Sequence, residues 1–379
     1  MNNLKPANLA LCIEKPTLIV NKERARNNIK KMADKARKSG VRFRPHFKTH
    51  QSAEIGGWFK EFGVDSISVS SVDMAAYFAE HGWKDISITF SVNFLQIRTI
   101  NNLAHDVSLN LLVESPEAVK FLHKNVESNV RIWIKIDVGY HRTGINCENF
   151  EKILDVAQHI EKAPNLILSG ILTHAGHSYN QRSKHGINKI YRETVGKLNE
   201  IRERLRSHNF QDIEISIGDT PCCSVVDEFT GVDEIRPGNF VFYDIMQLEI
   251  GSCTEQDIAL AAACPVVAKH EERNEVVIYG GAVHLSKDFI VDKKGRKLFG
   301  RAAFLEKNGW GSFIRNTYVK SLSQEHGIIK TDSNTFNRIQ VGDILIVLPV
   351  HSCLAANLLR NFITLEGEKI KAAQCGIVK

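Results

Sequence analysis

No stretch of this sequence approaches the length of a membrane span; the longest apolar runs end within a few residues at a charge or a glycine. A membrane partner is therefore not expected. Residues 1–15 carry neither a long apolar core nor a small-residue cleavage site, so no export signal is read there. No Cys-x-x-Cys pair occurs among the eight cysteines, and Cys222 and Cys223 are adjacent. Eight cysteines in 379 residues do not make a disulfide framework. Free thiols in a reducing, cytoplasmic setting are the simplest reading. A strong charge of one sign is also missing. Basic residues number 49 against 43 acidic ones, a net +6 without a long basic block, so nucleic-acid binding has little support. The densest basic stretch, Lys293, Lys294, Arg296 and Lys297, is broken by Gly295 and reads as a solvated turn. Low-complexity segments are absent too.

What is present is a strand-then-helix rhythm. A chain of 379 residues is too long for one small core, and a barrel-sized domain plus a smaller one is expected. A short β-run at 17–20 precedes a helical pattern over 22–39, ended by Gly40. Eight short runs follow, at 41–45, 66–71, 86–90, 109–114, 130–137, 167–173, 213–217 and 233–236. Amphipathic segments of helical length lie between most of them, at 52–62, 72–81, 115–124, 150–162 and 187–207. Ile132, Trp133, Ile134 and Ile136 show the near-continuous apolar pattern of a strand buried on both faces. This alternation predicts an α/β chain: a (β/α)8 TIM-type barrel over 22–250, with the 17–20 run outside it. Beyond about residue 250 the pattern turns to short alternating strands, at 276–279, 344–348 and 362–365, with few helical stretches. Residues 1–21 and 251–379 are expected to form a β-rich domain.

Chemistry-bearing residues cluster after the runs, where β/α barrels carry their catalytic groups. Lys48, in Arg44-Pro45-His46-Phe47-Lys48-Thr49-His50, follows the first run. A lysine at that position points toward the barrel mouth and can form an imine with an aldehyde cofactor. A solvated lysine is the competing reading. Gly218 and Thr220 follow the seventh run, and Arg236, Gly238 and Asn239 the eighth. Glycine admits an anion close to backbone N–H groups, and barrel phosphate sites are frequently built from these two loops. Ordinary glycine turns are the alternative. Arg142, after the fifth run, is a fixed cationic donor or a surface ion pair. His174, after the sixth, is a stacking ring or a structural histidine. His351 and Cys353 lie in the β-rich half. If that segment is extended, i and i+2 share a face, and imidazole with thiolate suits zinc or a related divalent metal. Two ligands would make an open Lewis-acid site, with Glu325 or His326 as a candidate third ligand or acid/base group. A buried cysteine beside an unrelated histidine is the plain alternative.

Together these motifs resemble the fold-type III pyridoxal-phosphate enzymes, in particular the D-threonine aldolase and D-serine dehydratase family. The most specific elements are Arg44-Pro45-His46-Phe47-Lys48-Thr49-His50, Thr173-His174-Ala175-Gly176-His177-Ser178-Tyr179 and Pro349-Val350-His351-Ser352-Cys353. The resemblance covers nearly the whole chain and implies an alanine racemase-like barrel followed by a β domain. It also implies pyridoxal 5′-phosphate in Schiff-base linkage to Lys48, phosphate ligation at Gly218, Thr220, Gly238 and Asn239, and a homodimer. Arg142 is implied at the phenolic oxygen, His174 on the ring and Arg236 at the pyridine nitrogen. Tyr179 and Tyr243 complete the implied cofactor-binding set, and His351 with Cys353 is the implied zinc pair.

Two departures guide the choice of reaction. Alanine racemases carry a Gly-Tyr motif early in the β domain, whose tyrosine is the second base; the corresponding Tyr279-Gly280-Gly281-Ala282-Val283-His284-Leu285 lacks it, which disfavours racemisation. His-x-Cys is similar to the D-serine dehydratase and hydroxyaspartate dehydratase pattern, whereas D-threonine aldolases tend toward His-x-Asp. The expectation is a metal-assisted dehydratase acting on a β-hydroxy D-amino acid, with Lys48 as general base at Cα. Retro-aldol cleavage, a racemase, a non-catalytic pyridoxal-phosphate carrier and a cofactor-free barrel hydrolase remain as alternatives.

Overall fold

The computed structural model describes residues 13–307 and 309–373. The assigned β-rich domain therefore includes segments, 1–12 and 374–379, that lie outside the described residues. The first half runs β1 (Thr17–Val20), α1 (Lys22–Lys38), β2 (Arg42–Phe43), α2 (Ala53–Lys60), β3 (Ser66–Val69), α3 (Val72–Glu80), β4 (Asp85–Ser91), α4 (Ile97–Asp106), β5 (Ser108–Val113), α5 (Pro116–Asn125), β6 (Val130–Asp137), β7 (Ile145–Asn146) and α6 (Phe150–Glu161). It continues with β8 (Leu166–Leu172), α7 (Lys184–Ser207), β9 (Glu214–Ile217), α8 (Thr220–Val225), β10 (Glu234–Ile235) and α9 (Ile245–Ile250).

Eight of these strands pair in parallel in the order β2-β10-β9-β8-β6-β5-β4-β3. A bridge between His46 and Ser68 closes the ring, with Ser68 N–H donating to Pro45 O and Phe47 N–H to Ser68 O, both at 2.9 Å. Several of the helices begin where a side chain satisfies an otherwise orphaned N–H group. Asn21 caps α1, Ser71 caps α3 and Ser115 caps α5. Ser183 accepts from Gly186 N–H at 3.1 Å, which starts α7 at Lys184, three residues before the apolar periodicity begins.

The barrel interior is not uniformly apolar. Glu234, 1% exposed at its side chain, accepts Arg44 Nε at 2.7 Å and Ser216 Oγ at 2.6 Å. Arg44 also reaches Asp85 at 2.7 Å, Asn110 donates to Asp85 at 2.9 Å, and Trp133 Nε1 donates to Asn110 at 3.1 Å. Leu112, Trp133 and Leu172 form a small apolar cluster separate from the main core. Leu112 and Leu172 also line the cavity described below.

The second half comprises β11 (Leu260–His270), β12 (Glu275–Tyr279), α10 (Ala282–Leu285), β13 (Ile290–Val291), β14 (Lys297–Leu298), β15 (Gly300–Glu306), β16 (Gly309–Trp310), β17 (Tyr318–Leu322), β18 (His326–Lys330), α11 (Ser333–Arg338), β19 (Ile344–Pro349), α12 (Ser352–Leu359), β20 (Asn361–Thr364) and β21 (Lys369–Lys371). Strands β12-β18-β17-β15-β19-β11 pair antiparallel in that order, and β11 returns to β12. The basic stretch after Val291 is the turn of the β13–β14 hairpin. Strand β1 leaves the first half and lies between β11, antiparallel, and β20, parallel. The expectation of few helices here needs correction at one important place, because α12 carries Cys353.

Candidate active site

The loops after the barrel strands meet the start of α12 around a cavity of about 650 Å³. Lys48 lines it and is exposed. Its backbone N–H donates to His46 Nδ1 at 3.3 Å. His46 Nε2 bonds Thr89 Oγ1 at 3.0 Å, and the Thr89 hydroxyl donates to Val69 O at 3.1 Å. Because that hydroxyl proton is committed, Nε2 carries the ring proton and Nδ1 accepts. Burial, then the Lys48 charge, holds His46 well below the ordinary imidazole range, consistent with a neutral ring.

Two carboxylates shape the loop that carries Arg142. Asp137 Oδ1 accepts the backbone N–H groups of Gly139, Tyr140 and His141 at 2.9, 2.9 and 3.0 Å. Glu114 accepts Gly144 N–H and, at 2.6 Å, the Ser91 hydroxyl. Gly144 has φ +111°, and a Cβ there would lie 2.8 Å from the Asp137 nitrogen, so no side chain fits. Arg142 lines the cavity with its guanidinium 5.3 Å from the Tyr140 ring centroid.

The remaining loops interlock. His174 Nδ1 bonds Gly218 O, and the Tyr179 hydroxyl accepts Thr220 N–H at 3.4 Å. Asp219 caps α8 and accepts the Ser178 hydroxyl at 2.8 Å. A Cβ on Gly218 would meet Arg236 O at 2.8 Å; one on Gly238 would meet His46 O at 2.9 Å. These glycines are thus required first by the close approach of neighbouring loops. Arg236 is held by Ser216 Oγ and Thr173 O, both at 2.7 Å, and faces the cavity. Burial, then the Arg236 and Arg142 charges, pushes Lys135 down to about 7.

His351 and Cys353 line the same cavity, but not by the route expected. His351 is the N-cap of α12, with extended φ −132° and ψ 99°, and Cys353 lies in its first turn. The change from extended to helical backbone, rather than strand alternation, brings imidazole and sulfur into direct interaction. His351 Nδ1 bonds Asp288 Oδ2 at 2.7 Å. Burial opposes the charged ring, but Asp288 and the Cys353 sulfur outweigh it and carry His351 up to about 11. Burial likewise favours the Cys353 thiol, yet the His351 imidazolium prevails and lowers it below the usual thiol range. Glu325 and His326 are not there: Glu325 stands 3.6 Å from His284, His326 pairs with Tyr279, and neither lines the cavity.

One cavity therefore gathers Lys48, Arg142, His174, Tyr179, Gly218, Thr220, Arg236, Gly238, Asn239, His351 and Cys353. Tyr243 is not brought to it. Its hydroxyl bonds Ser224 Oγ at 3.0 Å, behind the lining. The Asn239 side chain is also turned away from a phosphate role, since its Nδ2 donates to Asp244 at 2.6 Å and Ser352 Oγ at 3.0 Å. Sequence reasoning missed Lys135, His46 and Asp288. A lysine between Ile134 and Ile136 was the signal for the first; Asp288 has none, because only folding sets it beside His351.

The family model for "Alanine racemase, N-terminal domain" matches residues 20–245. The chain belongs to the alanine racemase N-terminal domain family. A second model, "Putative serine dehydratase domain", matches residues 259–365. This family member is 28% identical over 373 residues to a D-serine dehydratase of Dictyostelium discoideum, covering 92% of each chain. It is 26% identical over 359 residues to a D-threo-3-hydroxyaspartate dehydratase of Delftia sp., covering 90% of this chain and 92% of the relative. The solved Delftia enzyme superposes with TM-score 0.89 at 23% identity over 96% and 98% of the chains. A Cys-to-Ala variant of a D-threo-3-hydroxyaspartate dehydratase, solved in the metal-free form, gives TM-score 0.90 at 22% identity over 98% and 99%. These structural likenesses establish an alanine racemase-like fold.

The residues of this family member fit pyridoxal phosphate. Thr220 Oγ1, in a residue that lines the cavity, is buried without a hydrogen-bond partner, and Arg142, Arg236 and Lys135 on the same lining would supply positive charge to an anionic cofactor. They also fit a divalent ion. Among the described residues no group of three or more His, Cys, Asp and Glu side chains could hold a metal; an ion on the two donors His351 and Cys353 would have its coordination completed by solvent or substrate. No helix among the described residues is long and apolar enough to cross a membrane.

Proposed function

We propose that this protein is a pyridoxal phosphate- and zinc-dependent dehydratase of β-hydroxy D-amino acids, with D-serine and D-threonine as the leading substrates. The observation that carries the reading is the convergence of Lys48, the His351–Cys353 pair and the Gly218–Thr220 loop on one cavity. Lys48 would hold the cofactor aldehyde, Arg142 its phenolic oxygen, Arg236 the pyridine nitrogen, His174 the ring face, and Gly218, Thr220 and Gly238 the phosphate. Sulfur and nitrogen donors in the pair favour zinc. When bound, the cofactor supplies an electron sink and the ion supplies Lewis acidity at the β-hydroxyl.

The chain's own groups do the rest. The Lys48 amine takes the Cα proton. Asp288 holds His351 by Nδ1 and leaves Nε2 as the ring nitrogen for the ion. Departure of the Cα proton and the β-hydroxyl removes one water; hydrolysis of the resulting enamine returns it. D-Serine thus yields pyruvate and ammonia, and no oxidant is consumed. Residues 22–250 form the cofactor domain in this reading, and the β1 pairing supports grouping residues 1–21 with 251–379. Phe90 and Phe289, exposed on the cavity lining, support a homodimer that shields them.

The expected products from D-serine and D-threonine are pyruvate and 2-oxobutyrate with ammonia, scored by chromatography. Glycine as the main product would overturn the dehydratase in favour of retro-aldol cleavage. Borohydride is expected to fix the cofactor on Lys48, read by peptide mass spectrometry.

A further inference from the structure

We propose that Ser216 and Glu234 are positioning residues for the cofactor's ring nitrogen: together they aim one nitrogen of Arg236 into the cavity and hold its charge there. This rests on the proposed reading in which Arg236 faces the pyridine nitrogen. Strands β9 and β10 pair with Glu234 beside Ser216, and Arg236, two residues on, returns its side chain to the same interior face. Arg236 is buried, and acceptors on the protein fix it from behind. Ser216 Oγ takes Nε–H at 2.7 Å, while Thr173 O and Ser216 O take Nη2 at 2.7 and 3.2 Å. A guanidinium has five N–H donors. Nε spends its one and Nη2 its two, which leaves the hydrogens of Nη1 for the cavity that Arg236 lines.

Ser216 can hold Nε–H in one way only. Its Oγ lies 2.6 Å from Glu234 Oε1 in the barrel interior. An arginine donates and never accepts, whereas a carboxylate accepts and never donates. The single Ser216 hydroxyl proton therefore goes to Glu234, and a lone pair of the same oxygen is left facing Arg236. Glu234 is ionised here: burial favours the neutral acid, but its polar partners, the Arg44 charge foremost, outweigh burial and lower the carboxyl below its usual range. Its other oxygen accepts Arg44 Nε at 2.7 Å, and Arg44 reaches Asp85 beyond, at 2.7 Å. Glu234 Oε1 also stands 3.9 Å from Arg236 Nε. Burial works against the Arg236 charge, and Glu234 is the leading charge that supports it. One buried carboxylate thus both orients the Ser216 hydroxyl and stabilises the guanidinium that it holds.

The test is a binding comparison on the cofactor-free full chain, without turnover. Pyridoxal phosphate is titrated beside 1-deazapyridoxal phosphate, which carries C–H in place of the ring nitrogen, both read by quenching of tryptophan fluorescence. Ser216→Ala removes only a hydroxyl and leaves Arg236 Nε–H without its acceptor. Glu234→Gln leaves one side-chain acceptor where two donors need one each; Arg44 takes it, and the new amide N–H competes with Arg236 for the Ser216 oxygen. Each variant is expected to bind pyridoxal phosphate roughly 5- to 12-fold more weakly, the size of one ordinary hydrogen bond, and the deaza compound within about 2-fold of the unmodified protein. Equal losses for both compounds in the two variants would reduce Ser216 and Glu234 to a structural role and overturn the proposal. Unchanged pyridoxal phosphate affinity in both variants overturns it too. Equal affinity of the unmodified protein for the two compounds removes Arg236 from the ring nitrogen, which overturns this inference and leaves the Lys48 reading standing. Failure of pyridoxal phosphate to bind at all overturns both.

Discussion

Lys135 sits where its chemistry is least comfortable. It is buried beside two arginine charges at the end of β6, and its pKa falls to about 7 in the folded chain, against about 10.4 when unfolded. Between those values the unfolded chain holds a proton that the folded chain lacks, so this residue's contribution to stability improves as pH rises through the window. Below about 7 the full penalty of a buried charge is present. Lys135→Met should therefore stabilise the cofactor-free protein by up to a few kcal/mol near pH 6.5 and by much less near pH 9.5. Urea midpoints at the two pH values read the difference. A gain that grows with pH would contradict the burial argument. In the proposed reading the cofactor's anionic phenolic oxygen would lie at Arg142, whose charge acts on Lys135; the ammonium would then gain an anionic neighbour, and the gain should shrink.

At the scale of elements, the strand ends of the barrel are packed too closely for side chains. Gly238 lies against the backbone carbonyl of His46, two residues from Lys48. Gly238→Ala forces the Lys48 segment to move, and a strain of about 1–3 kcal/mol is expected. Pyridoxal phosphate affinity, measured by fluorescence titration, should fall by about 5- to 150-fold if that strain is borne in the bound state, at 1.4 kcal/mol per decade. Affinity equal to that of the unmodified protein would show that the loop absorbs the methyl group elsewhere. The short helix α12 illustrates the converse: the extended N-cap at His351 and the helical turn at Cys353 bring two donors to one point.

At the scale of the molecule, β1 is the strap between the halves. Leu18, Ile19 and Val20 are fully buried between β11 and β20, and α1 of the barrel follows at once. Deleting residues 1–21 would uncover hydrogen-bonding edges on two apolar strands. The truncated protein is expected to aggregate, scored by soluble yield and gel filtration. A soluble monomer or dimer that still loads cofactor would show that β1 is dispensable.

The eight-strand rhythm, the position of Lys48 and the glycines after β9 and β10 were legible in the sequence, because local periodicity and turn chemistry are written in neighbouring residues. The pairing of Asp288 with His351 was not legible, because 63 positions separate them and no local pattern marks the acid. Nor was the absence of Tyr243 from the cavity, which depends on a hydroxyl contact to Ser224. The same holds for Asn239: its motif suggested phosphate, but Asp244 and Ser352 compete for its amide hydrogens and aim it at Cys353. The sequence by itself determined the alternating strand–helix order of the barrel half and the residue types at the cavity. Only the tertiary structure decided which groups meet there and which partners each donor serves, because those contacts are made across distant segments that only packing brings together.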